Sequence, residues 1–212
     1  MELTNLKHSV VSTIHQLCDS GLISGTSGNI SCRAKDGFLI TPSAIKYSEL
    51  KPEMIVLVNM DGNYTGDYKP SSEWRIHRDL YQAQPETNAV IHTHSNYCSV
   101  LACSHREIPP FHYMVAMAGG KKIPCSDYAT FGTEELSKNI IKAIDGYNAC
   151  IMANHGAVFT ASNLASAYDL ALEIEQLAQQ YCELLKIGDI KLVDDAEMDH
   201  ILDKFKAYKA RS

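Results

Sequence analysis

Two histidines separated by a single residue, His92 and His94, follow an apolar run and could bind a metal ion together. The run over 89–91 is typical of a buried strand, in which residues i and i+2 point to the same face. The two side chains can therefore direct neutral nitrogen atoms at one point. A His-x-His pair alone is a moderate signal, because many such pairs are ordinary surface or core residues. Burial favours metal binding, since a buried imidazole pair without a partner is costly.

Two further residues could complete a metal site. His155 lies between Asn154 and Gly156, directly after a predicted buried strand, where a turn can present a side chain. Glu73 falls in the first turn of a predicted helix, and taken alone it is better explained as a carboxylate favoured by the helix dipole. Three histidines and a carboxylate are ligands that a catalytic, zinc-like ion accepts, and a carboxylate that leaves the ion can act as a general base. The set predicts metal-assisted catalysis.

Three short turns rich in hydroxyl and amide groups could bind an anion such as a phosphate. They span 25–29, 41–43 and 71–72, and the last precedes a predicted helix N terminus, where exposed N–H groups favour negative charge. Taken singly, each is better explained as an ordinary turn. The sequence contains no P-loop or dinucleotide-binding fingerprint, so it does not support a nucleotide cofactor.

Hydrophobic periodicity, turn signals and capping residues predict the elements that position these residues. Helices are predicted over 4–20, from the cap Ser72 through Tyr81, over 95–103 and 133–144 with Ser95 and Thr133 as caps, after Asn163, and over 195–208. Strands are predicted over 30–33, 38–41, 55–58, 149–153 and in the run that ends with the histidine pair, with hairpin turns at 36–37 and 61–62. This order indicates an α/β fold, a layered single domain over 1–212 with a largely antiparallel central sheet flanked by helices.

Composition and charge restrict the class of protein. The 212 residues suit one domain with a sizeable core, and 45% hydrophobic with 21% charged residues is typical of a soluble globular protein. A net charge of −6 argues against a nucleic-acid partner, whereas a few local donors could still bind an anionic substrate. The seven cysteines include no C-x-x-C pair, which favours reduced thiols and a cytoplasmic protein. No signal peptide, membrane-spanning run or membrane partner is expected.

Five motifs along the chain are similar to those of the class II aldolase and adducin family: 25–31 (GTSGNIS), 40–43 (ITPS), 70–73 (PSSE), 92–94 (HTH) and 154–156 (NHG). Further matches at 123–125, 128–133 and 204–208 are nearest to the branch that acts on L-fuculose 1-phosphate. The resemblance covers nearly the whole chain, and its combined motifs are highly specific. It implies the class II aldolase fold and the reversible cleavage of a ketose 1-phosphate, most closely L-fuculose 1-phosphate, to dihydroxyacetone phosphate and L-lactaldehyde.

The resemblance also implies roles for particular residues. Zn²⁺, one ion per subunit, would be bound by Glu73, His92, His94 and His155, and Glu73 would also be the catalytic acid and base. The substrate phosphate would be bound by Thr26, Asn29, Ser43, Ser71 and Ser72. Tyr113 would reach a neighbouring subunit's site and help to protonate the aldehyde oxygen, whereas Phe131 and Tyr208 would shape the aldehyde end. The family's aldolases are homotetramers with sites at subunit interfaces, so the same assembly is expected.

One position departs from the family pattern. Ala44 stands where the family often has Gly, beside the expected phosphate-binding residue Ser43. If this turn requires a positive φ, Ala would be strained there. If the turn requires only the backbone N–H, nothing is lost.

Three other functions share these motifs in part. L-Ribulose-5-phosphate 4-epimerases of the same fold typically have Asp in place of Glu73 and a further acid near 112–114, where this chain reads His-Tyr-Met, so the aldolase is favoured. Aldolases for 5-deoxyribulose or methylthioribulose 1-phosphate share the metal and phosphate ends and differ at the aldehyde pocket, so this alternative stays open. Adducin-type binding domains lack the full ligand set, whereas this chain retains all four candidates.

Overall fold

A seven-stranded β-sheet forms the centre of the computed structural model, which describes residues 2–209. Its strands are β1 (Asn29–Ala34), β2 (Gly37–Ile40), β3 (Val56–Val58), β4 (Ala89–Thr93), β5 (Cys125–Ser126), β6 (Ala149–Met152) and β7 (Gly156–Ala161). Their spatial order is β3-β2-β1-β4-β7-β6-β5, and all neighbours run antiparallel except β5 and β6. The predicted α/β fold with a largely antiparallel central sheet is therefore confirmed.

Helices cover both faces of this sheet. They are α1 (Leu3–Asp19), α2 (Trp74–Ala83), α3 (Asn96–Cys103), α4 (Glu134–Ala143), α5 (Leu164–Ile187) and α6 (Asp195–Lys209), with short 3-10 helices at Tyr47–Glu49, Pro52–Met54 and Tyr113–Ala118. Alternate residues of a strand point to opposite faces. In β4, Ile91 therefore joins the core formed with α1, α3 and α5, whereas Val90 joins the core formed with α2 and α4. No helix among residues 2–209 combines the length and the apolar character needed to cross a membrane.

The ends of three central strands meet at one end of the sheet. β1 begins with Asn29, directly opposite His92 near the end of β4. β4 ends with Thr93, which pairs with Ala157 near the start of β7. The turn that carries His155 joins β6 to β7 at this same end. The sheet register thus brings distant parts of the sequence together where the predicted site residues lie.

Most predicted elements are confirmed, with ends that move by a few residues. The hairpin at 36–37 joins β1 to β2, and Thr133 caps α4 by accepting the N–H of Leu136. Asn163 precedes α5 as predicted, and its side chain accepts the N–H of Ser166. The strands β5 and β7 and the 3-10 helices were not predicted.

The predicted start of α2 is wrong by one residue. The N-cap residue is Glu73 rather than Ser72, and its side chain makes no capping hydrogen bond. The Glu73 carboxylate instead contacts Asn29 and His92. Glu73 therefore lies just before the helix, outside the first turn where the dipole explanation had placed it.

Ser95 precedes α3 as predicted, but its hydroxyl does not cap the helix. The hydroxyl donates to Glu175 of α5 at 2.6 Å. The Glu175 carboxylate accepts the N–H groups of Tyr97 at 2.7 Å and Cys98 at 3.0 Å. A carboxylate from another helix thus takes the place of the local cap, and it ties the residues after His94 to α5.

The second predicted hairpin, at 61–62, has the expected turn but not the expected second strand. The chain turns there, but within residues 2–209 the return is limited to a single antiparallel bridge between Val58 and Tyr64. The side chain of Asn59 accepts two backbone N–H groups of this turn. A turn supported by a side chain therefore replaces the expected ladder.

Candidate active site

Four potential metal ligands from separate parts of the chain meet at the end of the central strands. His92 lies in β4 and His94 just beyond it, His155 lies in the turn between β6 and β7, and Glu73 precedes α2. One nitrogen or oxygen atom of each lies within 4.8 Å of the others. The Nε2 atoms of His92 and His94 are 2.9 Å apart, and the Glu73 oxygens lie 3.2 Å from the Nε2 atoms of His92 and His155. The predicted set is brought together, although His94 lies outside the strand expected to carry it.

The turn that presents His155 depends on a close approach of two backbones. Asn154 has a φ of 53°, in the left-handed region that Asn tolerates better than most residues. A Cβ atom at Gly156 would lie 2.2 Å from the carbonyl oxygen of Thr93, so only Gly allows β7 to begin this close to the end of β4. The approach places the rings of His155 and His94 with their centroids 4.8 Å apart.

A hydrogen bond determines which nitrogen of the buried His92 faces the other ligands. Its Nδ1 lies 2.9 Å from the carbonyl oxygen of Ala157. Because a carbonyl oxygen can only accept, Nδ1 carries a proton and donates it, and Nε2 faces the cluster. A ring N–H bound to a backbone carbonyl is the usual support of a metal-binding histidine.

The electrostatics of the cluster favour a charged carboxylate. Burial alone would raise the pKa of Glu73, but His92, His155 and Asn29 more than offset burial and hold the pKa well below its usual range. Partial desolvation within the cluster, reinforced by the charge of His92, lowers the pKa values of His94 and His155 to about 4. At neutral pH Glu73 is thus an anion, and His94 and His155 retain nitrogen lone pairs. A cation requires ligands in these states.

Two features show that the cluster suits a metal ion. The Oε1 atom of Glu73 is buried without a hydrogen-bond partner, which is costly for a carboxylate oxygen that serves no other group. The Nε2 atoms of His92 and His94 face each other at 2.9 Å, and lone pairs so arranged need a proton or a cation between them. Nitrogen and oxygen donors in this combination fit a divalent ion such as zinc.

A cleft of about 380 Å³ beside the four candidate metal ligands brings the three predicted anion-binding turns together. The Ser71 N–H donates to the Thr41 carbonyl at 3.0 Å, and the Ser43 N–H donates to the Lys69 carbonyl at 2.9 Å, which joins two of the turns. The predicted phosphate-binding residues all line this cleft with Glu73, His94 and His155: Thr26, Asn29, Ser43, Ser71 and Ser72. Their placement beside the candidate ligands is observed, whereas phosphate binding stays a prediction.

Asn29 differs from the other predicted phosphate-binding residues because its side chain is already engaged. Its Nδ2 donates to Glu73 Oε2 at 3.0 Å, and its Oδ1 accepts from His77 Nε2 at 2.5 Å. Asn29 therefore supports a candidate metal ligand. An amide has two N–H donors, so one is left for an anion in the cleft.

Ala44 lines the same cleft and has a φ of 61°, in the left-handed region that favours glycine. The turn therefore does require a positive φ, and Ala is strained there. This conformation costs a residue with a Cβ atom about 1–2 kcal/mol. The strain lies directly beside Ser43.

The residues predicted for the aldehyde end do not gather in one place within this chain. Phe131 lines the cleft beside the candidate metal ligands, which we call the metal cleft, and this residue is 67% exposed. Tyr113 and Tyr208 line a separate cavity of about 630 Å³, between the third 3-10 helix and α6. Within one chain, Tyr208 therefore does not lie beside Phe131. The position of Tyr113 agrees with its expected reach into a neighbouring subunit, which stays a prediction.

Some residues at the site were not predicted. Tyr47 and Tyr128 line the cleft, and the Tyr47 hydroxyl donates to the carbonyl of Gly28 at 2.6 Å. His77 lies buried behind Asn29. A signal for His77 exists in the sequence, because it lies four residues after Glu73, the spacing that brings side chains together along a helix.

Comparisons with known proteins give a consistent result. The family model of the class II aldolase and adducin N-terminal domain matches residues 8–182. A 5-methylthioribulose-1-phosphate/5-deoxyribulose-1-phosphate aldolase from Rhodospirillum rubrum is 46% identical over 203 residues, which cover 96% of this chain and 92% of the relative. An L-fuculose phosphate aldolase from Escherichia coli strain K12 is 42% identical over 212 residues, which cover 100% of this chain and 99% of the relative. The solved structure of an L-fuculose 1-phosphate aldolase, 38% identical, superposes with a TM-score of 0.92 over 95% of this chain and 96% of its own.

These similarities agree with the ligand cluster and the cleft. The structural match confirms the class II aldolase fold. The relatives differ in substrate, so the comparisons define the class of reaction and leave the sugar to be argued separately. The chain belongs to the class II aldolase and adducin family, as a metal-dependent aldehyde-lyase of the class II aldolase type.

Proposed function

We propose that this enzyme is a zinc-dependent aldolase that reversibly cleaves a ketose 1-phosphate, foremost L-fuculose 1-phosphate, to dihydroxyacetone phosphate and L-lactaldehyde. The observation that carries this proposal is a single cleft lined by three of the four candidate metal ligands and by the hydroxyl-rich turns. A substrate that joins a phosphate to a nearby ketone fits such a cleft. The L-fuculose phosphate aldolases among the relatives and solved structures support this substrate.

The three turns would bind the phosphate with neutral donors. The side chains of Thr26, Ser43, Ser71 and Ser72 offer hydroxyl groups, and Asn29 offers its remaining N–H. Local dipoles of this kind bind an anion even in a chain whose net charge is −6. The phosphate would thereby hold the ketone next to the metal cluster.

Glu73, His92, His94 and His155 would hold the zinc ion. When bound, zinc would supply Lewis-acid stabilisation of the negative charge that develops on the substrate oxygens. Glu73 would move the proton: in cleavage it donates one to the carbon that becomes the hydroxymethyl group of dihydroxyacetone phosphate, and in synthesis it removes one from that carbon. Its anionic state in the resting cluster suits the synthetic direction as the base.

The aldehyde end would be shared between two copies of the chain. Phe131 borders the cleft of one copy, while Tyr113 of a neighbouring copy would exchange a proton with the aldehyde oxygen and Tyr208 would help to shape the pocket. The exposed position of both tyrosines on a separate cavity supports this division. We accordingly propose a cytoplasmic homotetramer in which each chain contributes one catalytic domain over 1–212.

A second candidate substrate is 5-deoxyribulose or methylthioribulose 1-phosphate, in line with the Rhodospirillum rubrum relative. Cleavage at the same bond would release acetaldehyde or methylthioacetaldehyde in place of L-lactaldehyde. Tyr128, Ala129 and Phe131 give the cleft an apolar wall that suits a short apolar tail. The metal and phosphate ends would serve both candidates equally.

Release of dihydroxyacetone phosphate from a panel of sugar phosphates tests this proposal. Zinc-loaded enzyme is offered L-fuculose, 5-deoxyribulose and methylthioribulose 1-phosphates, with L-ribulose 5-phosphate beside them, before and after chelation. The highest kcat/KM with L-fuculose 1-phosphate, lost on chelation, supports the first candidate. A higher value with another ketose 1-phosphate supports the second. Conversion of L-ribulose 5-phosphate to D-xylulose 5-phosphate without cleavage, or no reaction with any sugar, contradicts both.

A further inference from the structure

A continuous chain of buried polar side chains connects Glu73 to the interior of the layer between α2 and the sheet. Asn29 Nδ2 donates to Glu73 Oε2 at 3.0 Å, and Asn29 Oδ1 lies 2.5 Å from His77 Nε2. His77 Nδ1 lies 2.6 Å from Ser31 Oγ, which in turn lies 2.7 Å from the hydroxyl of Tyr81. Ser31 and His77 are fully buried, and Asn29 and Tyr81 are nearly so. The proposed reaction assigns no role to His77, Ser31 or Tyr81.

The helix period and the sheet register bring these residues together. His77 and Tyr81 are spaced by four residues on one face of α2, and Glu73 precedes His77 by the same spacing at the N-cap position. Asn29 and Ser31 alternate along β1 and point to the sheet face that α2 covers. The result is a polar stripe inside an otherwise apolar core. Such a stripe is costly unless every member is bonded, and each of these five is.

The hydrogen bonds of this stripe share one direction. An ionised carboxylate can only accept, so Asn29 presents its NH₂ group to Glu73 and its oxygen to His77. His77 must then donate from Nε2, and because burial lowers its pKa to about 3, the ring is neutral and has no second N–H. His77 Nδ1 therefore accepts from Ser31, whose oxygen accepts from Tyr81. Every donor points toward Oε2 of Glu73.

We propose that His77 is a positioning residue for Glu73, acting through the amide of Asn29. Its single N–H holds the amide with the NH₂ group toward Oε2, which leaves Oε1 as the oxygen available to the metal and to the substrate proton. Without that N–H the amide can turn, and its oxygen would then repel the carboxylate. This inference rests on the proposed aldolase reaction, in which Glu73 moves the proton.

Variants of the zinc-loaded enzyme test this role. His77→Phe keeps a planar ring and removes the N–H, whereas His77→Gln restores a donor near the position of Nε2. We expect His77→Phe to lower kcat about 10- to 100-fold, the usual effect of losing a group that orients a metal ligand. KM should rise less than kcat falls, because Asn29 is one of five residues proposed to bind the phosphate. The zinc affinity of His77→Phe, measured by competition with a chelator, should fall in parallel with kcat. His77→Gln should recover most of both quantities.

Two further variants test whether the losses of kcat and zinc affinity are specific to His77. Tyr81→Phe removes only the distal hydroxyl and should have a smaller effect than His77→Phe on both kcat and zinc affinity. His8→Phe changes an exposed histidine of α1 and should leave both unchanged. A merely structural role for His77 would lower the midpoint of thermal unfolding in His77→Phe and His77→Gln alike, while kcat per bound zinc stays at the wild-type value. That outcome would overturn the proposal.

A spectroscopic measurement on the wild-type enzyme remains decisive if His77→Phe does not fold. Nitrogen NMR of the zinc-loaded protein, with the His77 signals assigned from their loss in His77→Gln, should show a neutral ring protonated on Nε2. A ring protonated on Nδ1, or on both nitrogens, would overturn the proposal. Failure of the aldolase function is distinguishable, because it would leave wild-type enzyme inert on every ketose 1-phosphate while the NMR signal and zinc affinities still report on His77.

Discussion

The metal cleft and the Tyr113–Tyr208 cavity differ in how the chain builds them. The cleft takes its candidate ligands from the ends of central strands and from the residue before α2, and Glu73 and His92 are buried. The cavity lies between a 3-10 helix and the last helix, and both of its tyrosines are more than half exposed. The residues proposed for metal and phosphate are thus positioned by the strand ends and turns of one chain, and Asn29, Ser71, Glu73 and His92 among them are buried. Tyr113 and Tyr208, which are proposed for the aldehyde end, lie away from the cleft, and in our proposal a second copy of the chain brings them to it.

This difference offers a physical reason for the two specificities found among the relatives. The ends of β1, β4 and β7 are held by the sheet register, and changes there would disturb the core. Exposed side chains such as Phe131 can change at little cost to the fold. We therefore expect the reaction to depend on the cleft and the choice of aldehyde to depend on the exposed residues.

The largest effect should come from the buried half of this comparison. Glu73→Gln keeps the shape of the side chain but removes the carboxylate that we propose transfers the proton, so kcat should fall roughly 10²- to 10⁴-fold. Dihydroxyacetone phosphate release measures this loss, with the exposed Glu49→Gln as a matched control that should retain full activity. Activity of Glu73→Gln within a few-fold of wild type would remove Glu73 from the reaction.

A change in the exposed cavity should lower kcat less, and an intact cavity on another copy of the chain should restore the activity. Tyr113→Phe should lower kcat about 100-fold, the lower end of the range for general acid catalysis, and leave bound zinc unchanged. Mixed oligomers of Tyr113→Phe with Glu73→Gln should regain activity, because some sites then combine two intact halves. Mixtures of Glu73→Gln with His155→Ala should not, since both changes lie in the same half. Equal behaviour of the two mixtures would refute sharing between subunits.

Substrate choice should respond at the border between the two regions. Phe131→Ala should change the ratio of kcat/KM for L-fuculose and 5-deoxyribulose 1-phosphates by roughly 10-fold, the effect of one altered apolar contact. Because the side chain is 67% exposed, the free energy of unfolding should change by less than about 0.5 kcal/mol. Tyr64→Ala, another exposed aromatic residue, is the control. An unchanged ratio would place aldehyde selection elsewhere.

The smallest effect concerns strain within the cleft. Ala44→Gly relieves a left-handed conformation but adds chain entropy to the unfolded state, so we expect a net stabilisation of up to about 1 kcal/mol. The midpoint of thermal unfolding should rise by roughly 2–4 °C for a chain of this length. Ala165→Gly, within α5, should lower it. A lower midpoint for Ala44→Gly would show that the turn is not strained.

Much of the fold was predictable because its signals are local. Helix periodicity and the cap at Thr133 depend on residues within one turn, and the His-x-His spacing directly predicted that His92 and His94 would meet. The strand β7 was missed because nearly all of its residues are buried, so it lacks the alternation of apolar and polar residues that marks a strand. The two-residue strand β5 is too short to form a pattern.

Features that depend on distant residues could not be predicted in the same way. The cap of α3 comes from Glu175, 78 residues after Tyr97, so the local candidate Ser95 was misleading. The bonds of His77 to Asn29 and Ser31 exist only because β1 lies beneath α2. Sequence patterns identified the candidate ligand residues, whereas the hydrogen bonds that support them emerged only from the packing.

Titration of zinc into chelated wild-type enzyme tests the central claim most directly. Bound zinc and release of dihydroxyacetone phosphate are measured on the same samples. Cleavage should be absent without zinc and should rise in proportion to bound zinc until one ion per chain is reached. Full cleavage by zinc-free enzyme, or zinc bound at this stoichiometry with no gain in cleavage of any ketose 1-phosphate, would contradict a zinc-dependent aldolase site built from Glu73, His92, His94 and His155.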